Sequence, residues 1–192
     1  MTGMDQKNDS DLIRLFQGGD QTSFEEIVSR NQDRVYNLCR RILGNGHDAE
    51  DAAQDVFVKA YQNLHHFQPN AALYTWLYRI AVNTCIDYRR RPLFESLFRR
   101  NSEGEEVMID AVSDQPSPER LYESAQNERL LQQGLAAISP KLRAAIVLRE
   151  VEGLSYEEIA DVLEVSLGTV KSRISRAREE LLAQLQLIGE KG

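Results

Sequence analysis

Residues 153–178 read GLSYEEIADVLEVSLGTVKSRISRAR, and this stretch decides the fold. Ser155-Tyr156-Glu157-Glu158 is a capping box, in which the Ser155 hydroxyl and the Glu158 carboxylate each satisfy the other's free backbone amide at a helix start. The helix that follows carries Ile159, Ala160 and Leu163 on one face. A break at Glu164-Val165 leads to Ser166, a second cap, and a last helix from residue 167 to about 187. Two helices joined by so short a turn, with small Ala160 at their crossing and Ile159, Val165, Val170 and Ile174 as core anchors, describe a helix-turn-helix.

An ordinary helical hairpin also has caps and a short turn, so the distribution of charge matters. The first helix and its lead-in hold Glu150, Glu152, Glu157, Glu158, Asp161 and Glu164. The second holds Lys171, Arg173, Arg176 and Arg178, with no acid before Glu179. A hairpin tied only by surface pairs would intersperse the two signs. Here the bases gather on the helix that such a motif lays in the major groove. Lys171, Ser172, Ser175 and Arg176 are expected at base edges, since Arg pairs bidentately with guanine and hydroxyls suit bases or phosphates. Thr169, Arg173 and Arg178 are expected on phosphates, which position without specifying.

Upstream the helical pattern continues. Ser139-Pro140 is a helix start, a capping residue followed by proline, and Gly153 is placed to stop that helix. In the N-terminal half, Phe24, Ile27, Val28, Val35, Leu38 and Ile42 recur at helical spacing before Gly44 and Gly46. A second stripe runs through Ala49, Ala52, Ala53, Val56, Phe57, Ala60, Tyr61 and Leu64; a third through Ala72, Leu73, Trp76, Leu77, Ile80, Ala81, Thr84 and Tyr88. No segment alternates with period two, so no sheet is expected. Pro92 opens an acidic, unpatterned stretch closed by Pro116-Ser117-Pro118, which reads as a flexible linker. The expected architecture is all-α: two small helical domains, residues 1–91 and 119–192, joined by residues 92–118.

The net charge of −7 over 192 residues runs against the basic excess of most nucleic-acid binders. Residues 1–91 carry 12 acidic and 11 basic side chains, residues 92–118 carry 6 and 2, and residues 119–192 carry 12 and 10. Nearly neutral ends therefore flank an acidic middle, and within the ends the signs are sorted into blocks. A hydrophobic fraction of 42% is that of an ordinary globular protein. No run approaches the roughly 18 apolar residues of a membrane span, and residues 1–10 lack the pattern of a secretory signal. A cytoplasmic location is expected. Cys39 and Cys85 sit in helical apolar patterns and read as buried structural thiols. His47, His65 and His66 lack the wider ligand set of a zinc site, and no Gly-rich phosphate loop is present. Neither metal nor cofactor is expected.

Two further faces call for explanation. Asp48, Glu50, Asp51, Gln54 and Asp55 decorate the polar side of the second stripe. With no His or facing acid at suitable spacing, they suit the helix dipole or a basic partner better than catalysis. In the third stripe, Phe67, Tyr74, Trp76, Tyr78 and Tyr88 surround Arg79 and Arg89-Arg90-Arg91, with Asn83 between. Aromatics interleaved with bases suit an unstacked single strand, although core packing accounts for part of Trp76, Leu77 and Ile80.

The segments DAEDAAQDVFVKAY (residues 48–61) and YTWLYRIAVNT (74–84) resemble region two of the extracytoplasmic-function sigma factors of bacterial RNA polymerase, and GLSYEEIA (153–160) with GTVKSRISRAR (168–178) resembles region four. The resemblance covers nearly the whole chain in the family's order. It implies a sigma subunit that binds core RNA polymerase, recognises the minus-ten and minus-thirty-five promoter elements and promotes melting without chemistry of its own. Asp48, Asp51, Gln54 and Asp55 then fall on the helix that docks the β′ clamp helices. Phe67, Asn70, Ala71, Ala72, Trp76, Arg79 and Asn83 fall where the minus-ten strand is held with a base flipped from the duplex, an extrusion costing a few kcal/mol. Region four reads the minus-thirty-five element and sits on the β flap, and an anti-sigma partner is implied. The loop Gln68-Pro69-Asn70-Ala71-Ala72 departs from the basic, Gly-containing segment common in the family, and Ser175 stands where an aromatic can occur. A stand-alone helix-turn-helix regulator is the alternative, which leaves the acidic and aromatic helices unexplained.

Overall fold

The computed structural model describes residues 8–68, 72–96 and 118–189, with side chains over 8–68, 72–89 and 126–189. Among these residues every regular element is a helix. The first, α1 (Asp9–Gln17), is capped by Asn8, whose side-chain oxygen accepts from the Asp11 amide at 2.9 Å. It lies ahead of the stripes read from the sequence and buries Leu12, Ile13 and Phe16. Helix α2 (Thr22–Leu43) ends at Gly44, whose φ of 88° is left-handed and costs a side-chain-bearing residue strain. Helix α3 (Gly46–Asn63) begins at Asn45, whose side chain accepts from the Asp48 amide at 2.7 Å while donating to the Asp48 carboxylate at 2.6 Å. A 3-10 turn over Leu64–His66 leads towards α4 (Leu73–Ser96).

Helix α4 does not stop at Pro92. A proline removes one amide donor and crowds the carbonyl four residues back, but the preceding turns are anchored by Leu77, Ala81, Val82 and Cys85, all buried, and the helical backbone continues to Ser96. The rest of the expected linker, residues 97–117, lies outside the described residues. Val35, Leu38, Ile42, Ala49, Ala52, Val56 and Ala60 are fully buried where α2, α3 and α4 meet. Cys39 and Cys85 are free, buried thiols in the same core. The neighbouring Cys39 thiol and burial hold the Cys85 thiol well above the usual range.

The C-terminal helices are α5 (Pro118–Ala137), α6 (Pro140–Glu150), α7 (Tyr156–Leu163) and α8 (Leu167–Gly189). Ser139 takes the capping backbone conformation, but its hydroxyl makes no capping bond; Pro140 sits in the first turn of α6. Buried Gly134 lets α8 approach α5 closely: a Cβ there would meet Leu181 Cδ1 at 2.9 Å. The loop between α6 and α7 is fixed by Arg149, which donates to the Leu154 carbonyl at 2.7 Å and lies 5.0 Å from the Tyr156 ring centroid. Both bonds of the Ser155–Glu158 capping box form, at 2.7 and 3.1 Å. The turn into α8 passes through Glu164 at φ 51°, the one left-handed non-glycine among the described residues.

The two halves pack on one another, α4 against α6 and α7, and α2 against α5 and α6. At their junction Arg143 of α6 is fully buried, donating to the Ile42 carbonyl at 2.7 Å and the Ile138 carbonyl at 3.3 Å. Burial and the Arg89 charge push its pKa down to about 9, which leaves it cationic at neutral pH.

Candidate nucleic-acid and polymerase interfaces

Helix α8 buries Val170, Ile174 and Ala177 at steps of four and three, so Lys171, Ser172, Ser175 and Arg176 all stand exposed on its outer side. Among the described residues Lys171, Arg173 and Arg176 have no carboxylate partner. The hydroxyls are held more tightly. Thr169 shares a cap with Ser166 at 2.9 Å, Ser172 donates to the Thr169 carbonyl at 2.9 Å, and Ser175 donates to Glu179 at 3.1 Å. Arg178 pairs with Glu150 of α6 at 2.6 Å, and both side chains are about half exposed. An exposed pair of this kind adds little to stability, so a phosphate can displace the carboxylate.

On α4, Ala72 just before the helix and then Trp76, Arg79 and Asn83 follow one another at steps of four, three and four, which stacks them along one side. Phe67 packs beneath Trp76 with ring centroids 5.0 Å apart. Asn70 and Ala71 lie outside the described residues, as do the side chains of Arg90 and Arg91. The turn that presents Phe67 is held by a residue that sequence reasoning missed. The Gln17 side-chain amide, at the end of α1, donates to the carbonyls of Leu64 at 3.1 Å and Phe67 at 3.0 Å. No local pattern marks it, because its partners are about fifty residues away in sequence.

Along α3, Asp51 and Gln54 are exposed and Asp55 is half-buried, accepting from the Tyr88 hydroxyl at 2.9 Å. Asp48 is occupied with Asn45 at the helix start. Val58, 54% exposed, continues the same side one turn on. The apolar stripe of α3 does not include it.

Trp76 and Arg79 also line a cleft of about 650 Å³ whose other wall is α7, through Ala160, Asp161, Glu164 and Val165. Tyr78 donates to Glu152 at 2.5 Å, Tyr74 donates to Glu158, and Arg79 lies 3.5 Å from Glu164. The hydrogen bond to Glu158 raises the pKa of Tyr74, and the same bond lowers that of Glu158. The three histidines form no metal cluster among the described residues, and the His65 ring lies against Phe16 instead, 4.5 Å between centroids.

Comparison with known proteins gives the family of the chain. The Sigma-70 region 2 family matches residues 27–92 and the Sigma-70 region 4 family matches residues 128–181. The ECF RNA polymerase sigma-E factor of Haemophilus influenzae is 39% identical over 186 residues, covering 95% of this chain and 97% of that one. The chain belongs to the ECF sigma factors. The ECF sigma factor SigW of Bacillus subtilis is likewise 39% identical, over 91% of this chain and 95% of its own. Among solved structures, the sigma factor RpoE of Bartonella quintana, in complex with the anti-sigma factor NepR, matches with a TM-score of 0.69 at 26% identity, over 85% of this chain and 96% of that one. This sigma factor is a promoter-recognising subunit for RNA polymerase in transcription initiation, and the stand-alone regulator is set aside. No described helix is long and apolar enough to cross a membrane.

Proposed function

We propose how the work of this sigma factor is divided among its residues. The exposed side of α3, with Asp48, Asp51, Gln54 and Asp55, docks on the β′ clamp helices of core polymerase, and Val58 adds an apolar contact. Phe67, Asn70, Ala71, Ala72, Trp76, Arg79 and Asn83 hold the opened minus-ten strand, rings against bases and guanidinium against phosphate. Lys171, Ser172, Ser175 and Arg176 read the minus-thirty-five element in the major groove, with Thr169, Arg173 and Arg178 on its backbone. Residues 1–91 and 119–192 act as the two promoter-reading domains, joined by residues 92–118, and region four also rests on the β flap. Melting is driven by capture of the unstacked strand, with no catalytic residue and no cofactor. The protein acts in the cytoplasm, where its polymerase is. An anti-sigma factor is its expected regulator, as NepR is bound to the Bartonella protein.

The observation that carries this reading is the sorting of charge onto geometry. Bases without carboxylate partners line the outer side of α8, while the carboxylates of Asp51 and Asp55 line α3 beside exposed Val58. The test is titration of labelled core polymerase with wild-type protein and with Asp51→Arg. Charge reversal is expected to weaken binding at least tenfold while helical content is unchanged; equal affinity would remove α3 from the interface.

A further inference from the structure

Helix α7 and its flanking turns lie across the side of α4 that is assigned to the minus-ten strand, where Ala160 and Val165 line the cleft with Trp76, and their hydrogen bonds and ion pair are of one electrostatic kind. Carboxylates come from the C-terminal half and donors from α4: Glu152 accepts from Tyr78 at 2.5 Å, Glu158 accepts from Tyr74, and Glu164 faces Arg79 at 3.5 Å. Trp76 and Phe67 sit in the cleft beneath, so the rings and the guanidinium available to a strand already have neighbours. Asp161 and Glu164 bring negative charge to the wall facing Arg79, as the phosphates of a strand would. The outer side of α8 takes no part, and Lys171, Ser172, Ser175 and Arg176 remain exposed.

The same junction is built to release. Arg143 is fully buried where α6 meets the end of α2, bonded to carbonyl oxygens alone, and its Nε has no partner among the described residues. A cation taken out of water without a carboxylate carries a desolvation cost, which separation of the halves returns. Closure therefore combines directional carboxylate bonds with a buried charge that favours opening.

We infer that α7 with its two flanking turns is an internal lid: in the free chain the carboxylates of Glu152, Glu158 and Glu164 hold the minus-ten face of α4 shut, leaving the minus-thirty-five helix presented, and the factor must open before it captures a strand. The identity of the covered face rests on the proposed function; the closure itself does not. The lid makes the two promoter-reading surfaces unequal in the free protein.

The test uses the full chain and its single tryptophan, Trp76. Acrylamide quenching of Trp76 and small-angle scattering are compared for wild type, for Tyr74→Phe with Tyr78→Phe, and for Glu152→Gln with Glu158→Gln, which weakens the same contacts from the other side and keeps a side-chain acceptor at the α7 cap. Each double variant is expected to keep its helical content, raise the quenching constant about twofold and raise the radius of gyration by at least a tenth. A fluorescent single-stranded 12-mer of random sequence should then bind the opened variants severalfold more tightly than wild type. Wild type already as expanded and as quenchable as both variants would overturn the lid. Where wild type binds the strand, variants that open and bind it no more tightly would overturn the lid as well. A strand that binds none of the proteins would instead overturn the minus-ten assignment, and quenching and scattering would still decide whether the chain closes.

Discussion

The side chain of Gln17 at the end of α1 holds the backbone carbonyl of Phe67 at 3.0 Å, across fifty residues of sequence. Through this bond and its companion to Leu64 at 3.1 Å, α1 sets the turn that carries buried Phe67, one of the residues proposed for the minus-ten surface.

Gln17→Ala is expected to leave the fold intact, since the residue is exposed, and to cost the turn about 1 kcal/mol for the bonds removed. The consequence is a fewfold loss of affinity for fork-junction DNA that carries a single-stranded minus-ten element. Binding to a minus-thirty-five duplex should not change. Equal affinity of wild type and variant for the fork junction would show that the loop needs no such tether.

Arg176→Ala on α8 is expected to weaken binding of holoenzyme to promoter DNA by about 1–3 kcal/mol and to relax preference at one position of the minus-thirty-five element. Arg173→Ala should weaken binding to all sequences alike and flatten its salt dependence by about one counterion. A selection of bound sequences from a randomised pool separates the two effects. An unchanged profile for Arg176→Ala would remove it from the base edges.

The Tyr74–Glu158 contact predicts a pH dependence. The hydrogen bond from Tyr74 lowers the Glu158 pKa below that of an unpaired glutamate, so its stabilising effect is complete above the ordinary value near 4.3 and is lost as pH falls through the folded value. Tyr74 is raised by the same bond, so its contribution is complete below pH 10.0 and fades only at higher pH. The junction should therefore hold from about pH 5 to 9, and acrylamide quenching of Trp76 should rise as pH falls below that window. In Tyr74→Phe the acid limb should be shallower. The same acid limb in both proteins would remove this pair from the closure.

Gly44→Ala places a Cβ at a φ of 88° and is expected to destabilise the N-terminal helices by about 1–2 kcal/mol. Gly134→Ala tests a different cost, because its Cβ would sit 2.9 Å from Leu181 and 3.1 Å from Leu185. Overpacking of that kind costs about 1–3 kcal/mol, less where the leucine ends can shift. Thermal denaturation of both variants gives the comparison, and an unchanged midpoint for Gly44→Ala would contradict the account of the α2 terminus.

What could be read from the sequence was local. The capping box at Ser155, the core anchors of α8 and the left-handed stop at Gly44 each depend on residues within a few positions, and spacing exposes them. Helix α1 carries Leu12, Ile13 and Phe16 at helical spacing behind an Asn8 cap, a stripe the sequence does show, but nine residues are too few to read as a core element until they pack against α2 and the turn over Leu64–His66. Pro92 misled in the other direction, since a helix already anchored carries on through a residue that would not start one. Gln17, Arg143 and the pairing of Tyr78 with Glu152 act across 50, 101 and 74 residues, and no periodicity records such contacts. The candidate surfaces were legible as charge and aromatic patterns, while the facing of one surface towards the other was not.

Run-off transcription with reconstituted core polymerase tests the central claim most directly, using a promoter chosen by selection with this sigma factor. Product is predicted only when the sigma factor is present, and is predicted to vanish with Asp51→Arg while duplex binding through α8 persists. Product formed equally well by core polymerase alone, or full activity from Asp51→Arg, would contradict the account.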